Sequence, residues 1–230
     1  MKLPDEAPVM ILPDATLFPQ AMLPLRIFEP RYRRMLHDVL HSGRMFVVAM
    51  QKPGRVFEKP SRIAGLGLVR ASVRNRDGTS NLMLQGIARV ELGRATKRRP
   101  YRVHAICPVR ETPADSLHVE ALMAKVRELV DELASHGLAE GKLAATAPLP
   151  EMLADPGIQA ALAKSIRHLR RALAKTNDPA KFADLVSCAM LLHPGQRQFI
   201  LETADVERRL GALVRFLIAE ARGRRKLQQS

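Results

Sequence analysis

The sequence predicts an α+β protein, with an N-terminal β-rich pseudo-barrel lobe of about six strands and one helix, then a C-terminal helical bundle lobe. Three observations carry this expectation. Apolar residues recur at period two through much of residues 1–114. Short turn segments separate those runs. From residue 115 to 222 the apolar spacing becomes helical, and a basic tail, 223–230, follows.

Strands are expected first near Val9–Leu12 and Leu23–Phe28. Leu23, Leu25 and Ile27 alternate and so share one face. Glu29 precedes Pro30, a position pushed toward extended geometry that ends the strand. Pro30 suits the first turn of a helix, where its missing N–H costs nothing. From there Tyr32, Met35, Leu36, Val39 and Leu40 form an apolar stripe. Arg34 is spaced to pair with Asp38, and Glu29 to reach Arg33. Glu29 also stands where an acidic group favours the helix N-terminus.

Phe46–Met50 (FVVAM) reads as a strand buried on both faces. The GLG at Gly65–Gly67 reads as a bend or bulge in a strand. Asn75–Ser80 (NRDGTS) is a turn between strands, with Asp77-Gly78 supplying the turn chemistry. Leu82, Leu84, Gly86, Ala88, Val90 and Leu92 keep period two, and Val103, Ala105, Cys107 and Val109 repeat it after KRRPYR. An antiparallel sheet or partly closed barrel is the product such strands predict.

In the second lobe Leu122, Val126, Leu129 and Leu133 mark one helix, and Ile158, Leu162, Ile166, Leu169 and Leu173 another. Phe182, Val186, Ala189 and Met190 mark a shorter one ending near His193-Pro194-Gly195. Val206, Leu210, Leu213, Leu217 and Ala221 line the last, with Asp205 as its N-cap. Gly137–Gly157, rich in Gly, Ala and Pro, is expected to be a loop, and the tail RGRRKLQQS to be frayed.

The 230 residues carry a net charge of +14. Residues 1–114 hold 20 Lys/Arg against 9 Asp/Glu, and 115–230 hold 17 against 14, so the first lobe supplies nearly all of the positive field. That suggests an acidic partner, nucleic acid, or a solvated surface. Prolines and acids interrupt the N-terminus where a secretory signal needs an apolar run. FVVAM falls far short of the roughly 20 apolar residues of a membrane helix, so a cytoplasmic protein without membrane contact is expected. Cys107 and Cys188 lack CxxC partners and read as reduced packing residues.

No catalytic, cofactor or metal site is expected. His37 and His41 share a helix face, but Asp38 stands where a zinc-protease motif needs Glu, and no third ligand is evident. The remaining histidines are scattered. Lys164-Ser165 point about 100° apart on a helix. The GLG is not followed by the third glycine of a dinucleotide loop, and no GxxxxGK[ST] cradles phosphates. Nucleic-acid binding is the alternative function, from the basic first lobe, Lys97-Arg98-Arg99 and the Arg-rich tail. Against it, there are two Tyr, seven Phe and no Trp, which leaves few stacking platforms.

Three segments, LFPQAMLPLRIFEPRYRRML (Leu17–Leu36), LMLQGIARVEL (Leu82–Leu92) and RQFILETADVERRLGALVRFLIAE (Arg197–Glu220), resemble the N-terminal, substrate-binding domain of Lon proteases in order and spacing. The resemblance spans roughly residues 9–220. It implies a β-rich pseudo-barrel followed by a helical lobe, and a non-catalytic module that recognises unfolded polypeptide or a partner protein for a separate protease. A strand edge, or a cleft between the lobes, would receive the polypeptide. The ATPase and Ser-Lys peptidase motifs of a complete Lon protease do not occur in this sequence, nor does the cysteine-rich module that follows such a domain in cereblon. Phe28, Glu29, Arg31, Tyr32, Gly86 and Arg89 match the family pattern. A structural role is the first reading of these positions and partner contact the second. Gly86 is expected where another group approaches closely, and Arg89 to be exposed or paired with an acid. The sequence leaves the oligomeric state open.

Overall fold

The structure, a computed structural model, describes residues 3–52, 54, 58–112, 116–140 and 170–228, with 135–140 and 224–228 described as backbone. Six strands are present: β1 (Glu6–Leu12), β2 (Met22–Ile27), β3 (Met45–Met50), β4 (Ile63–Arg74), β5 (Ser80–Lys97) and β6 (Arg102–Pro108). The helices are α1 (Pro30–Leu40), α2 (Leu117–Glu140), α3 (Pro179–Met190), α4 (Pro194–Glu202) and α5 (Val206–Gln228), and residues 170–175 are also helical. The chain divides into two compact units, Met1–Arg110 and Glu111–Ser230.

In the first unit the sheet order is β2-β5-β4-β3-β1-β6, and a further β5–β6 pairing closes five of the strands into a ring. The 18-residue β5 makes this possible. Its first half pairs with β2 and its second half with β6, while β4 runs along both. The pairings are antiparallel except β1–β3, which is parallel, a departure from the wholly antiparallel sheet expected. β2 and α1 intervene between β1 and β3, and a crossover of that length is what parallel neighbours require.

Alternation sends the two faces of each strand into different cores. Ala7, Val9 and Ile11 of β1 join Val47 and Ala49 of β3, Leu66, Val90 and Ile106. Phe46 and Val48 on the other face of β3 join Leu82 and Leu84, over which α1 lays Tyr32, Met35, Leu36 and Val39. FVVAM is thus buried on both faces, as its unbroken apolar run predicts. The register shifts at Leu66/Gly67, within the GLG, but the extra residue, Ile87, is on the partner strand β5 rather than on the GLG strand itself. The turn at 75–79 closes on Gly78, whose φ of +79° favours glycine.

One close approach governs this unit. The Leu17–Phe18 segment, buried to 1% and 0% exposure, crosses directly over β4 and β5. A Cβ on Gly65 would strike the Leu17 carbonyl, and one on Gly86 the Phe18 carbonyl. Gly67 faces Leu84 and Leu17 side chains.

The second unit is helical. The predicted stripe of Val206, Leu210, Leu213, Leu217 and Ala221 is buried along α5, and Asp205 Oδ1 accepts the Arg208 N–H at 2.9 Å as its cap. Asp178 caps α3 in the same way. Arg209 is fully buried; its guanidinium reaches Asp184 (3.4 Å), Glu111 (2.9 Å) and the Thr203 carbonyl (2.9 Å). Burying this charge is tolerable because it is paired and hydrogen-bonded.

Several expectations fail here. α4 was not expected, because His193-Pro194-Gly195 reads as a helix end, yet Pro194 opens a new helix at its first turn. α2 extends through Glu140, into the segment expected to be a loop, and α5 runs on to Gln228 where fraying was expected. The stripe of α2 centres on Met123, which is buried, while Leu122 is half-buried. Ala189 is exposed. Cys107 is exposed rather than packed, and Cys188 is half-buried. Most of the expected helix Ile158–Leu173 and of the expected loop lies outside the described residues.

Gly86→Ala is expected to lower unfolding free energy by about 1–3 kcal/mol or more, because the colliding atom is backbone and cannot rotate away. Gly195→Ala, with open space around the added methyl, should change stability by less than about 1 kcal/mol. Chemical denaturation of the two variants separates these outcomes.

Candidate binding site at the strand-to-helix corner

The corner is built by the chain between β2 and α1. Glu29 occupies the N-cap position of α1 with extended geometry (φ −64°, ψ 133°), and its side chain does not cap the helix. It turns instead to Arg31, at 2.8–2.9 Å, rather than to the Arg33 that its spacing suggested. Arg31 grips Glu58 with two parallel bonds, Nη1 and Nη2 to the two carboxylate oxygens, both 2.6 Å. Such a bidentate fork is the strong form of an ion pair. The Arg31 guanidinium also lies 4.5 Å from the centroid of the Tyr32 ring.

Tyr32 points inward. Its hydroxyl accepts from the Ile11 N–H at 3.1 Å and donates to the Ile11 carbonyl at 3.2 Å, fastening α1 to β1. Burial raises the Tyr32 phenol above its ordinary value. Farther along α1, Arg34 pairs with Asp38 at 3.2 Å, as predicted. Asp38 also accepts from Tyr101 at 2.8 Å, and the bond from Tyr101 holds its carboxyl below the ordinary carboxylate range. Burial, with the Asp38 bond second, pushes the Tyr101 phenol up to about 12.

The six family-pattern residues therefore divide. Glu29, Arg31 and Tyr32 form one linked group, to which the structure adds Glu58, 27 residues downstream of Arg31 and without a local signal in the sequence. Phe28 stands apart at 63% exposure. Gly86 lies beneath Phe18, and its N–H and C=O bond Ala21 and Gln20 at 2.8 Å. Arg89 is 3% exposed, so of its two expected settings, exposed or paired with an acid, exposure is overturned. Its carbonyl accepts the Val109 N–H at 3.0 Å.

β2 itself is an edge. Among the described residues β5 is its one strand neighbour, in register from Met22↔Gln85 to Ile27↔Ser80. Its outward positions are Met22, Pro24 and Arg26, and Met22 is 48% exposed. Met22 and Phe28 thus flank the strand, about 20 Å apart at the usual rise per residue.

The chain matches the family described as the ATP-dependent protease La (LON) substrate-binding domain over residues 6–219. It belongs to that family. It is 26% identical over 222 residues to a Lon protease of Desulfosudis oleivorans, covering 94% of this chain and 24% of the relative. With a Lon protease of Dictyoglomus thermophilum the identity is 24% over 221 residues, covering 95% and 25%. The N-terminal domain of the Mycobacterium avium complex Lon protease superposes with a TM-score of 0.67 at 17% identity, covering 92% of this chain and 97% of that one. A Lon N-terminal domain protein from Xanthomonas campestris gives 0.60 at 20%, covering 92% and 98%. The fold is therefore that of Lon N-terminal domains. The chain spans about a quarter of the length of the Lon proteases it matches. No described helix is long and apolar enough to cross a membrane.

Tyr32→Phe leaves the buried Ile11 N–H and carbonyl without their partner, so a loss of about 1–3 kcal/mol is expected in denaturant titrations. The Arg31–Glu58 pair is about one-third exposed, and solvent screening holds its worth below about 1 kcal/mol. Its signature is instead pH dependence. The Arg31 bonds hold the Glu58 carboxyl below its ordinary range, so the stabilisation is complete at neutral pH. It begins to fall as pH drops past the ordinary glutamate value of about 4.3, and is gone once the folded carboxyl is protonated. Thermal unfolding across this window should show a shallower acid limb for Glu58→Gln than for the parent.

Proposed function

We propose that this Lon substrate-binding-type domain is a non-catalytic binding module that takes up extended, unfolded polypeptide by adding it as a strand to the free edge of β2. The observation that carries the reading is the outer edge of Met22–Ile27, which no strand among the described residues covers, flanked by the exposed side chains of Met22 and Phe28. In strand addition the main chain supplies affinity without regard to sequence, and side-chain contacts at alternate positions supply preference. Such a mode suits recognition of unfolded segments, which share a backbone and little else. Membership of a family described by substrate binding supports the same reading. A role in handing polypeptide to a separate protease, in the cytoplasm, goes with it.

Nucleic-acid binding is the second reading, favoured by the positive charge of residues 1–114. The two differ in salt response. Phosphate neutralisation gives an affinity that falls steeply with salt, whereas strand addition with apolar flanking contacts does not.

The test is fluorescence anisotropy with labelled, unfolded casein and with single-stranded RNA, at low and high salt. Casein binding that falls with salt far less steeply than RNA binding is expected, with Met22→Ser/Phe28→Ser weakening it about tenfold, or about 1.4 kcal/mol. Full casein affinity in the double variant, with its fold intact by circular dichroism, overturns the β2 assignment. RNA binding without casein binding overturns the polypeptide reading.

A further inference from the structure

A second feature of the first unit carries charge chemistry that the edge strand does not use. Between α1 and the β4–β5 hairpin lies a cleft of about 470 Å³, within the range of ligand-binding cavities. Its helix wall presents Arg33 and Arg34, its hairpin wall Arg74, and the half-buried Leu40, beside the buried Leu36, gives it an apolar part.

The arginines of this unit are not equivalent. Arg26, Arg31, Arg34 and Arg62 are each engaged by a carboxylate, from Asp77, Glu58, Asp38 and Glu91 respectively. Arg33 and Arg74 form no side-chain ion pair among the described residues. Arg33 is nonetheless held in place. Its guanidinium lies against Gly78 at the hairpin turn, where a Cβ would strike Nη2. The nearby Asp77 carboxylate feels the charge of Arg33, but one of its oxygens is engaged by the Thr79 N–H and hydroxyl at 2.9 and 2.7 Å. Two uncommitted guanidiniums thus face one cleft, one of them positioned by the turn.

We infer that this cleft binds acidic side chains of a polypeptide, with the guanidiniums of Arg33 and Arg74 taking Asp or Glu carboxylates while the half-buried Leu40 contacts a neighbouring apolar group. The guanidinium fork matches a carboxylate in two-bond geometry. Phosphate has the same donor requirement, but the apolar surface that Leu40 adds to the cleft has no use for it. The inference rests on the polypeptide reading and specifies the partner's chemistry: the domain favours unfolded segments that mix acidic with apolar residues. It also gives the positive first lobe a purpose beyond solubility, since a basic cleft raises the rate of encounter with acidic chains.

The test uses two short labelled peptides of equal length, one alternating leucine with glutamate and the other leucine with glutamine. Binding is measured to the parent protein, to Arg33→Gln/Arg74→Gln, and to Arg94→Gln, an exposed β5 arginine outside the cleft. The glutamate peptide is expected to bind about tenfold more tightly than the glutamine peptide to the parent. The double variant should abolish that difference, leaving the glutamine peptide and the Arg94→Gln protein unchanged. Equal binding of the two peptides, or full glutamate-peptide affinity in the double variant, overturns the cleft assignment and leaves the polypeptide reading standing. If neither peptide binds, the polypeptide reading itself fails. If neither binds while a single-stranded oligouridylate binds and is lost in the double variant, the cleft is a phosphate site and both readings are overturned.

Discussion

The passage of Leu17–Phe18 over Gly65 and Gly86 is the contact on which the rest of the first unit hangs. Carbonyl oxygens of one segment lie where two side chains would begin on the strands beneath, so backbone meets backbone with nothing between. From this crossing the chain turns at Gln20, in the left-handed region at φ 64°, and bonds Gly86 through both of its backbone groups at 2.8 Å. Those bonds set the register of β2 on β5. The register of β2 then places Glu29 and Pro30, and with them the first turn of α1. A glycine on one strand thereby determines where a helix begins on another.

The corner that follows combines contacts of very different worth. The Tyr32 hydroxyl satisfies two buried backbone groups of β1 at once; such groups are costly to leave unpaired. The Arg31–Glu58 fork has shorter bonds, yet water reaches about a third of both side chains, so screening removes most of its energy. Its value is geometric, tying residue 58 to the start of α1. In the second unit Arg209 reverses this relation. It is fully buried among Asp184, Glu111 and backbone carbonyls, where loss of any one partner strands a charge away from water.

Strand positions and the corner were legible in the sequence because both are written in local spacing. Period two marks the strands, and Glu29-Pro30 marks the start of α1. The close approach at Gly86 was legible too, since a glycine amid alternating apolar residues needs a reason. Arg89 is buried, which overturns exposure, one of the two readings its spacing allows, and leaves pairing with an acid standing. Alternation through Gly86 assigns odd positions of β5 to the outer face, but burial shifts near residue 88, so that Arg89 and Val90 are both buried. The partner strand β4 changes register at Leu66/Gly67 in the same region. A bulge is one residue long and inverts every face assignment beyond it. Glu58 left no trace because its partner lies 27 residues away, and helix α4 because Pro-Gly ends one helix as readily as proline begins the next.

An edge meant for recognition faces a conflict that β2 resolves in its sequence. An exposed, regular, apolar edge recruits copies of itself as readily as it recruits a client. In β2 the middle position is Pro24, which cannot donate to a ladder and is tolerated where its nitrogen faces away from β5. The outward edge is therefore short of one donor at its centre. Arg26, also outward and paired with Asp77 at 3.6 Å, sets a hydrated ion pair beside the edge that a second copy would have to cover. The apolar contacts, Met22 and Phe28, are held at the ends. Pairing along such an edge is weakened at its centre and reinforced at its flanks. A flexible client can satisfy the flanks and bridge the gap, whereas another folded copy presents the same proline and the same arginine. The features that blunt the edge against self-association are thus compatible with brief capture of an unfolded chain, which a binding module must also release.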